Sequence, residues 1–236
     1  MSLSLSKGKF TMTIKERIKI LREKIADALE KAGRSNEEIT VVGVTKGIDI
    51  ERIIEGIKLG IHILGENRVQ EAREKIPLIN LPCQWHLIGH LQKNKVKYAV
   101  KLFDMIQSVD SIELAGLLNK KLNKKIDILI EVNTSGEPQK FGIAPEKLPA
   151  LIDSILGMEN LNLLGLMTVG PYPVEEYRSR KAFSLLRELR DNMERRFKVK
   201  LPILSMGMTE DFEYAILEGA NMLRIGRGIY GERNYP

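Results

Sequence analysis

The sequence predicts an α/β fold, a TIM-type (β/α)8 barrel built as a single domain with one extra helix at its N-terminus. Three observations predict it. Strand-like and helix-like patterns alternate along nearly the whole chain, and eight strands can be counted. The length, 236 residues, lies slightly below the ~250 typical of such barrels. The strand-like runs stop in glycine or polar clusters ("ILGEN", "HLIGH", "VNTSGE", "LMTVGP", "LSMGMT", "LRIGRG"), as expected at the C-terminal rim of a barrel, where active sites sit. An open doubly wound sheet is the alternative, but it needs fewer strands, and no G-x-G-x-x-G opens the first strand-to-helix turn.

The elements follow in chain order. Residues 1–12, MSLSLSKGKFTM, lack an apolar signal core and read as a flexible tail; the barrel is expected over 13–236. Thr13–Arg34 places Ile18, Leu21, Ile25 and Leu29 at three- and four-residue spacing, the pattern of an amphipathic helix. Strands are expected at Thr40–Thr45, Ile61–Leu64, Gln84–Leu87, Met105–Gln107, Ile126–Val132, Leu161–Leu166, Ile203–Ser205 and Met222–Ile225. Helices are expected at Asp49–Leu59, Arg68–Lys75, Lys93–Val100, Ser111–Leu122, Pro145–Leu156, Val174–Phe197 and Glu210–Glu218. No Pro/Gly/Ser-rich linker divides the chain.

Composition narrows the function classes. Apolar residues make up 43% and charged residues 29%, enough for a sizeable core under a solvated surface. No apolar stretch approaches the ~18 residues of a membrane span. Cys83 is the single cysteine, which excludes an internal disulfide and fits a reducing cytoplasm. The net charge is +6, but the basic residues are interleaved with glutamates on helical faces, as in "RIKILREKIADALEKAGR", so nucleic acid is not an expected partner.

The chemistry gathers at strand ends. Lys46 closes the apolar run "TVVGVTK"; it is either a lysine reaching for water or a reactive amine at the rim. "LSMGMTED" sets Ser205, Gly207 and Thr209 before a helix, and "MLRIGRG" supplies a companion loop with Gly226 and Gly228. Consecutive loops of this kind after the last two strands suit a phosphate, although turn glycines and a Thr209 helix cap would read the same way. Arg224 shares a strand face with Gly226, opposite Leu223 and Ile225, and so enters the barrel if those two face the helices. Its partner is then a carboxylate or a ligand ring nitrogen. An amine, a phosphate cup and an interior arginine together suit pyridoxal 5′-phosphate (PLP), which carries an aldehyde, a phosphate and a ring nitrogen. His86 and His90 stand four apart but flank Gly89 in a strand-like run, so a hydrogen-bonded core histidine is expected for His86 rather than a metal ligand. Asp104, Asp110 and Glu131 are strand-end acids, any of which could pair with Lys46 or Arg224.

From about residue 14 to 232 the chain resembles the pyridoxal-phosphate homeostasis proteins, which share a fold with the N-terminal barrel of alanine racemases. The resemblance rests on "VVGVTK", "LGENRVQE", "WHLIGHLQKNK", "SVDS", "VNTSGEPQKFG", "GLMTVGP" and "LSMGMTEDFEYAILEGANMLRIGRGIYG" in that order. It implies a single-domain barrel holding PLP as an aldimine with Lys46. It further implies that Ser205, Gly207 and Thr209, with the Met208 backbone, and Gly226 hold the phosphate. Arg224 matches the residue facing the ring nitrogen, and Asn67 a loop position near the cofactor. Thr209 stands where serine is often found, and the hydroxyl is kept.

The implied role is to buffer or deliver PLP without robust catalysis, with apo PLP-dependent enzymes as candidate recipients; the single cysteine suits a cytoplasmic setting, and a lone barrel whose core closes on itself suits a monomer rather than a dimer. The alternatives are a PLP-dependent racemase of low activity and a Schiff-base aldolase without PLP. A racemase needs a second base opposite Lys46, supplied in the related racemases by a second, β-rich domain. The sequence stops about five residues after "GIYG", and that domain is not expected here.

Overall fold

Residues 12–232 are described in a computed structural model. Eight strands form a closed barrel in sequential order. They are β1 Thr40–Val44, β2 Ile63–Glu66, β3 Gln84–Leu87, β4 Met105–Val109, β5 Ile126–Glu131, β6 Leu161–Met167, β7 Ile203–Ser205 and β8 Met222–Ile225. All neighbours are parallel, and β8 closes on β1 with Val42 opposite Arg224 and Gly43 opposite Ile225. The helices are α1 Ile14–Lys31, α2 Ile50–Lys58, α3 Val69–Lys75, α4 Val96–Leu102, α5 Ile112–Lys121, α6 Leu148–Leu156, α7 Glu176–Phe197, α8 Phe212–Leu217 and α9 Arg227–Tyr230. The expected barrel with its extra first helix is what the chain forms. The tail expected over residues 1–12 lies, apart from Met12, outside the described residues.

Strand alternation builds two apolar layers, because successive side chains point to opposite faces. Val42, Val44, Met105, Leu129, Met167 and Met222 pack together inside the barrel. Leu64, Leu87, Ile106, Ile128, Leu223 and Ile225 join the layer between barrel and helices. Leu223 and Ile225 face the helices, so Arg224 points inward as its strand parity required.

The extra helix begins with a capping box. The Thr13 hydroxyl accepts the Glu16 N–H, and the Glu16 carboxylate accepts the Thr13 N–H. Its buried stripe, Ile14, Ile18, Leu21, Ile25 and Leu29, packs on α8 and α9 beside the barrel closure.

Boundaries differ from expectation where caps intervene. β2 starts at Ile63, not Ile61, because the Ile61 and Gly60 N–H groups bond back to Gly56 and Ile57, closing α2 as a Schellman turn with Gly60 at φ +95°. A 3-10 turn occupies Lys93–Lys95 before α4, and α8 starts at Phe212 rather than Glu210. Among the described residues, no helix is long and apolar enough to cross a membrane.

Candidate functional site

The C-terminal rim opens into two adjoining cavities that share Val169. One, of about 600 Å3, is lined by Lys46, Asn67, Ile88, His90, Glu131 and Phe141 among others. The other, of about 500 Å3, is lined by Val44, Met208, Thr209, Arg224, Gly226 and Arg227 among others. Lys46, Asn67, Met208, Thr209, Arg224 and Gly226 are thus brought together from widely separated sequence positions. Ser205 and Gly207 line neither cavity.

Lys46 follows β1 by two residues, in a turn with Gly47. It keeps the strand parity of Val42 and Val44, which face the interior, so it stands at the mouth and is half-buried. Thr45 has the opposite parity and is fully buried; its hydroxyl donates to Glu66 Oε1 at 2.6 Å. Asn67, just after β2, is in close backbone contact with the next loop: a Cβ on Gly89 would fall 2.5 Å from the Asn67 carbonyl oxygen.

Arg224 heads a buried polar column inside the barrel. Its guanidinium donates to the Ser205 hydroxyl and to the Thr168 carbonyl, both at 2.7 Å. Ser205 donates in turn to Gln107 Oε1 at 2.6 Å, and Gln107 Nε2 meets His86 Nδ1 at 2.9 Å. His86 is therefore the hydrogen-bonded core histidine expected; burial pushes it down to about 4, with Asp104 and Asp127 opposing, and its Nδ1 accepts the amide proton. Burial lowers Arg224 to about 10, against the carboxylates of Glu131 and Asp211, and it stays cationic at neutral pH. Among the described residues, Arg224 makes no direct carboxylate bond; the two acceptors it meets there are neutral oxygens.

The loop after β7 departs from the expected cup in three respects. The Ser205 hydroxyl is fully buried and engaged by Arg224 and Gln107, because β7 runs through Ser205 and aims it inward. Gly207, at φ +95°, makes its close approach to α8: an added Cβ would lie 2.7 Å from Ala215 Cβ and 3.0 Å from Phe212 Cα. The Met208 N–H donates to Asp211 Oδ1 at 2.6 Å, so an acid of this same loop holds that donor. Thr209 is not a helix cap. Its hydroxyl oxygen accepts the Gly228 N–H at 3.2 Å and ties the two glycine loops together, and its own proton is left for another acceptor.

Glu131, at the end of β5, faces the Lys46 cavity with one carboxylate oxygen buried and without a hydrogen-bond partner. Burial raises it to about 7, against the pull of Arg224, and Asp110 adds to the rise. Of the other strand-end acids, Asp104 accepts the Trp85 N–H at 2.7 Å and Asp110 lies 3.4 Å from His90 Nδ1. His90 also stacks on Phe141, with ring centroids 4.1 Å apart, so His86 and His90 serve separate partners.

Sequence reading missed Gln107, Thr168 and Arg227. Gln107 is the one polar residue of "DMIQSV" whose parity matches Met105 inside the barrel, and that parity was the signal available.

The alanine racemase N-terminal domain family matches residues 18–234. The pyridoxal phosphate homeostasis protein of Aquifex aeolicus is 43% identical over 224 residues, covering 93% of this chain and 98% of that protein. The one of Escherichia coli is 35% identical, covering 91% and 94%. PipY of Synechococcus elongatus, solved with PLP bound, superposes with a TM-score of 0.82 at 29% identity, covering 93% of this chain and all of PipY. Alanine racemase of Clostridium difficile shares the fold at TM-score 0.72 and 21% identity, and the match spans 60% of that enzyme. With this match over nearly its whole length, the chain belongs to the alanine racemase N-terminal domain family and, within it, to the pyridoxal phosphate homeostasis proteins.

Proposed function

We propose that this chain binds PLP at the barrel mouth, holds it reversibly on Lys46, and serves intracellular PLP homeostasis rather than rapid amino-acid turnover. One observation carries the reading. The Lys46 amine, the Arg224 guanidinium and the Thr209–Gly226 loop pair come from β1, β8 and the loops after β7 and β8 to line adjoining cavities. The residues fit the ligand: a buried Glu131 oxygen without a partner and a buried arginine both border this space. PipY, a relative solved with PLP bound, supports the same reading.

When bound, PLP supplies an aldehyde that condenses reversibly with a primary amine, forming a C=N bond and releasing water. Lys46 would supply that amine. Thr209, with its free hydroxyl proton, and the backbone at Gly226 would hold the phosphate. Met208 would join them only by exchanging its Asp211 partner. Gly207 would shape the loop against α8, and Ser205 would act through Arg224. Arg224 would donate to the ring nitrogen without giving up its proton, which disfavours deep carbanion stabilisation. Asn67 would border the cofactor edge near Lys46.

Delivery to apo PLP-dependent enzymes, a monomeric state and a cytoplasmic setting, in keeping with the lone Cys83, complete the proposal. The test mixes PLP-loaded protein with an apo PLP-dependent enzyme while free PLP is trapped, and in parallel incubates alanine and serine enantiomers with the protein. Recovery of the second enzyme's activity, with negligible racemisation, is expected. Racemisation at about 1 s−1 or faster, the ordinary enzyme range, would overturn the carrier reading in favour of a racemase.

A further inference from the structure

Lys46 is flanked by two peptide groups, and both are held by charged side chains on the helix side of the barrel. Lys75, the last residue of α3, donates to the Thr45 carbonyl at 2.6 Å. Glu71, one turn earlier, accepts the Gly47 N–H at 2.6 Å. The two side chains bond each other at 2.6 Å in an i,i+4 pair. Lys75 also reaches Glu66 Oε1 at 3.0 Å, the same oxygen that takes the Thr45 hydroxyl. Glu66 is fully buried and Lys75 only 12% exposed, so water competes weakly for these bonds. Burial raises Glu66, partly offset by Thr45 and Lys75. Glu71 is lowered: burial opposes this, but Lys75, the Gly47 N–H and Lys46 outweigh it.

Surface ion pairs contribute little, and a core helix end does not need three charged groups converging on one turn. Their convergence on Thr45 and Gly47, with Lys46 between them facing the opposite way, has a geometric consequence. Strand alternation turns Thr45 toward the helices and Lys46 toward the mouth. Clamping the peptides on both sides removes backbone freedom at Lys46 and sets the direction in which its amine leaves the rim. Preorganisation of this kind raises the rate and affinity of a covalent contact without touching the ligand. We propose that Lys75 and Glu71 are positioning residues that hold the backbone on either side of Lys46 and so aim its amine at a carbonyl ligand. This rests on the reading of Lys46 as the attachment lysine.

The test uses the full chain and two ligands, PLP and pyridoxine 5′-phosphate, which keeps ring and phosphate but carries an alcohol instead of the aldehyde. Lys75→Met should weaken PLP at least tenfold while changing pyridoxine 5′-phosphate less than twofold. Lys75→Arg, which keeps the cation, should recover most of that loss. Equal weakening of both ligands would mean a general structural effect and would overturn the proposal, as would no change in either. Lys46→Ala separates the two levels of inference. If it keeps the preference for PLP over pyridoxine 5′-phosphate, the attachment reading falls. If it loses that preference and Lys75→Met does not, only the positioning role falls. Should Lys75→Met not fold, Glu71→Ala decides by the same ratio, since it removes the acceptor of the Gly47 N–H and one of the two carboxylates that hold Lys75.

Discussion

Arg224 and Ser205 are joined by a 2.7 Å hydrogen bond inside the barrel, and this relationship divides the two hydroxyls of the β7 loop into separate roles. Ser205 supports Arg224 from below, while Thr209 borders the cavity. Ser205→Ala leaves a buried guanidinium N–H and the Gln107 carbonyl oxygen short of a partner, at a cost of about 1–3 kcal/mol each. Apo Ser205→Ala should therefore melt several degrees lower, at about 2–4 °C per kcal/mol for a chain of this size. Thr209→Ala frees only the part-buried Gly228 N–H, so it should lose less thermal stability than Ser205→Ala but bind PLP about tenfold or more weakly, the scale of one charge-assisted hydrogen bond. Calorimetry of the apo proteins beside PLP titrations checks both. The reverse pattern would return the phosphate role to Ser205.

Two buried groups should set opposing pH slopes on stability. His86 titrates at about 4 when folded against 6.5 ordinarily, so the unfolded chain binds the extra proton and stability rises with pH from about 4 to 6.5. Glu131 titrates at about 7 against 4.5, so the folded chain holds the extra proton and stability falls from about 4.5 to 7. Each gap corresponds to about 3 kcal/mol, and in the parent the two largely cancel. Glu131→Gln should unmask a steep loss of stability between pH 6.5 and 4. His86→Gln should unmask a decline between pH 4.5 and 7. Urea unfolding of the apo proteins across this range reads both; a Glu131→Gln curve parallel to the parent would refute the burial account of Glu131.

Gly207→Ala should destabilise the apo fold by about 1–3 kcal/mol. The residue sits at φ +95°, and an added Cβ would meet Ala215 and Phe212 at 2.7 and 3.0 Å. A thermal shift below 1 °C would show that the loop relaxes around the methyl group and that Gly207 is not needed for packing.

How far the molecule was legible depended on range. The eight strands could be read because parallel strands are buried on both faces and appear as apolar runs. Arg224 could be placed inside because Leu223 and Ile225 fixed the parity of β8. Ser205 and Thr209, by contrast, flank Gly207 with the same chemistry, and only the end of β7 at Ser205 separates a hydroxyl inside the barrel from one at its rim. Gln107 and Thr168 join the Arg224 column through β4 and β6, pairings that no local pattern reports. Glu71 and Lys75 could be seen as an i,i+4 pair. Their reach to Thr45 and Gly47 depends on β1 lying beside β2.

The central claim is that Lys46 is the covalent attachment point for PLP. The direct measurement is borohydride reduction of the PLP-loaded protein followed by peptide mass mapping, with the visible spectrum recorded before and after. The phosphopyridoxyl mass should sit on the peptide containing Lys46, the visible band should vanish on reduction, and Lys46→Ala should show neither band nor label. A stoichiometric label on Lys75, Lys140 or any other lysine, with Lys46 unmodified, would contradict it.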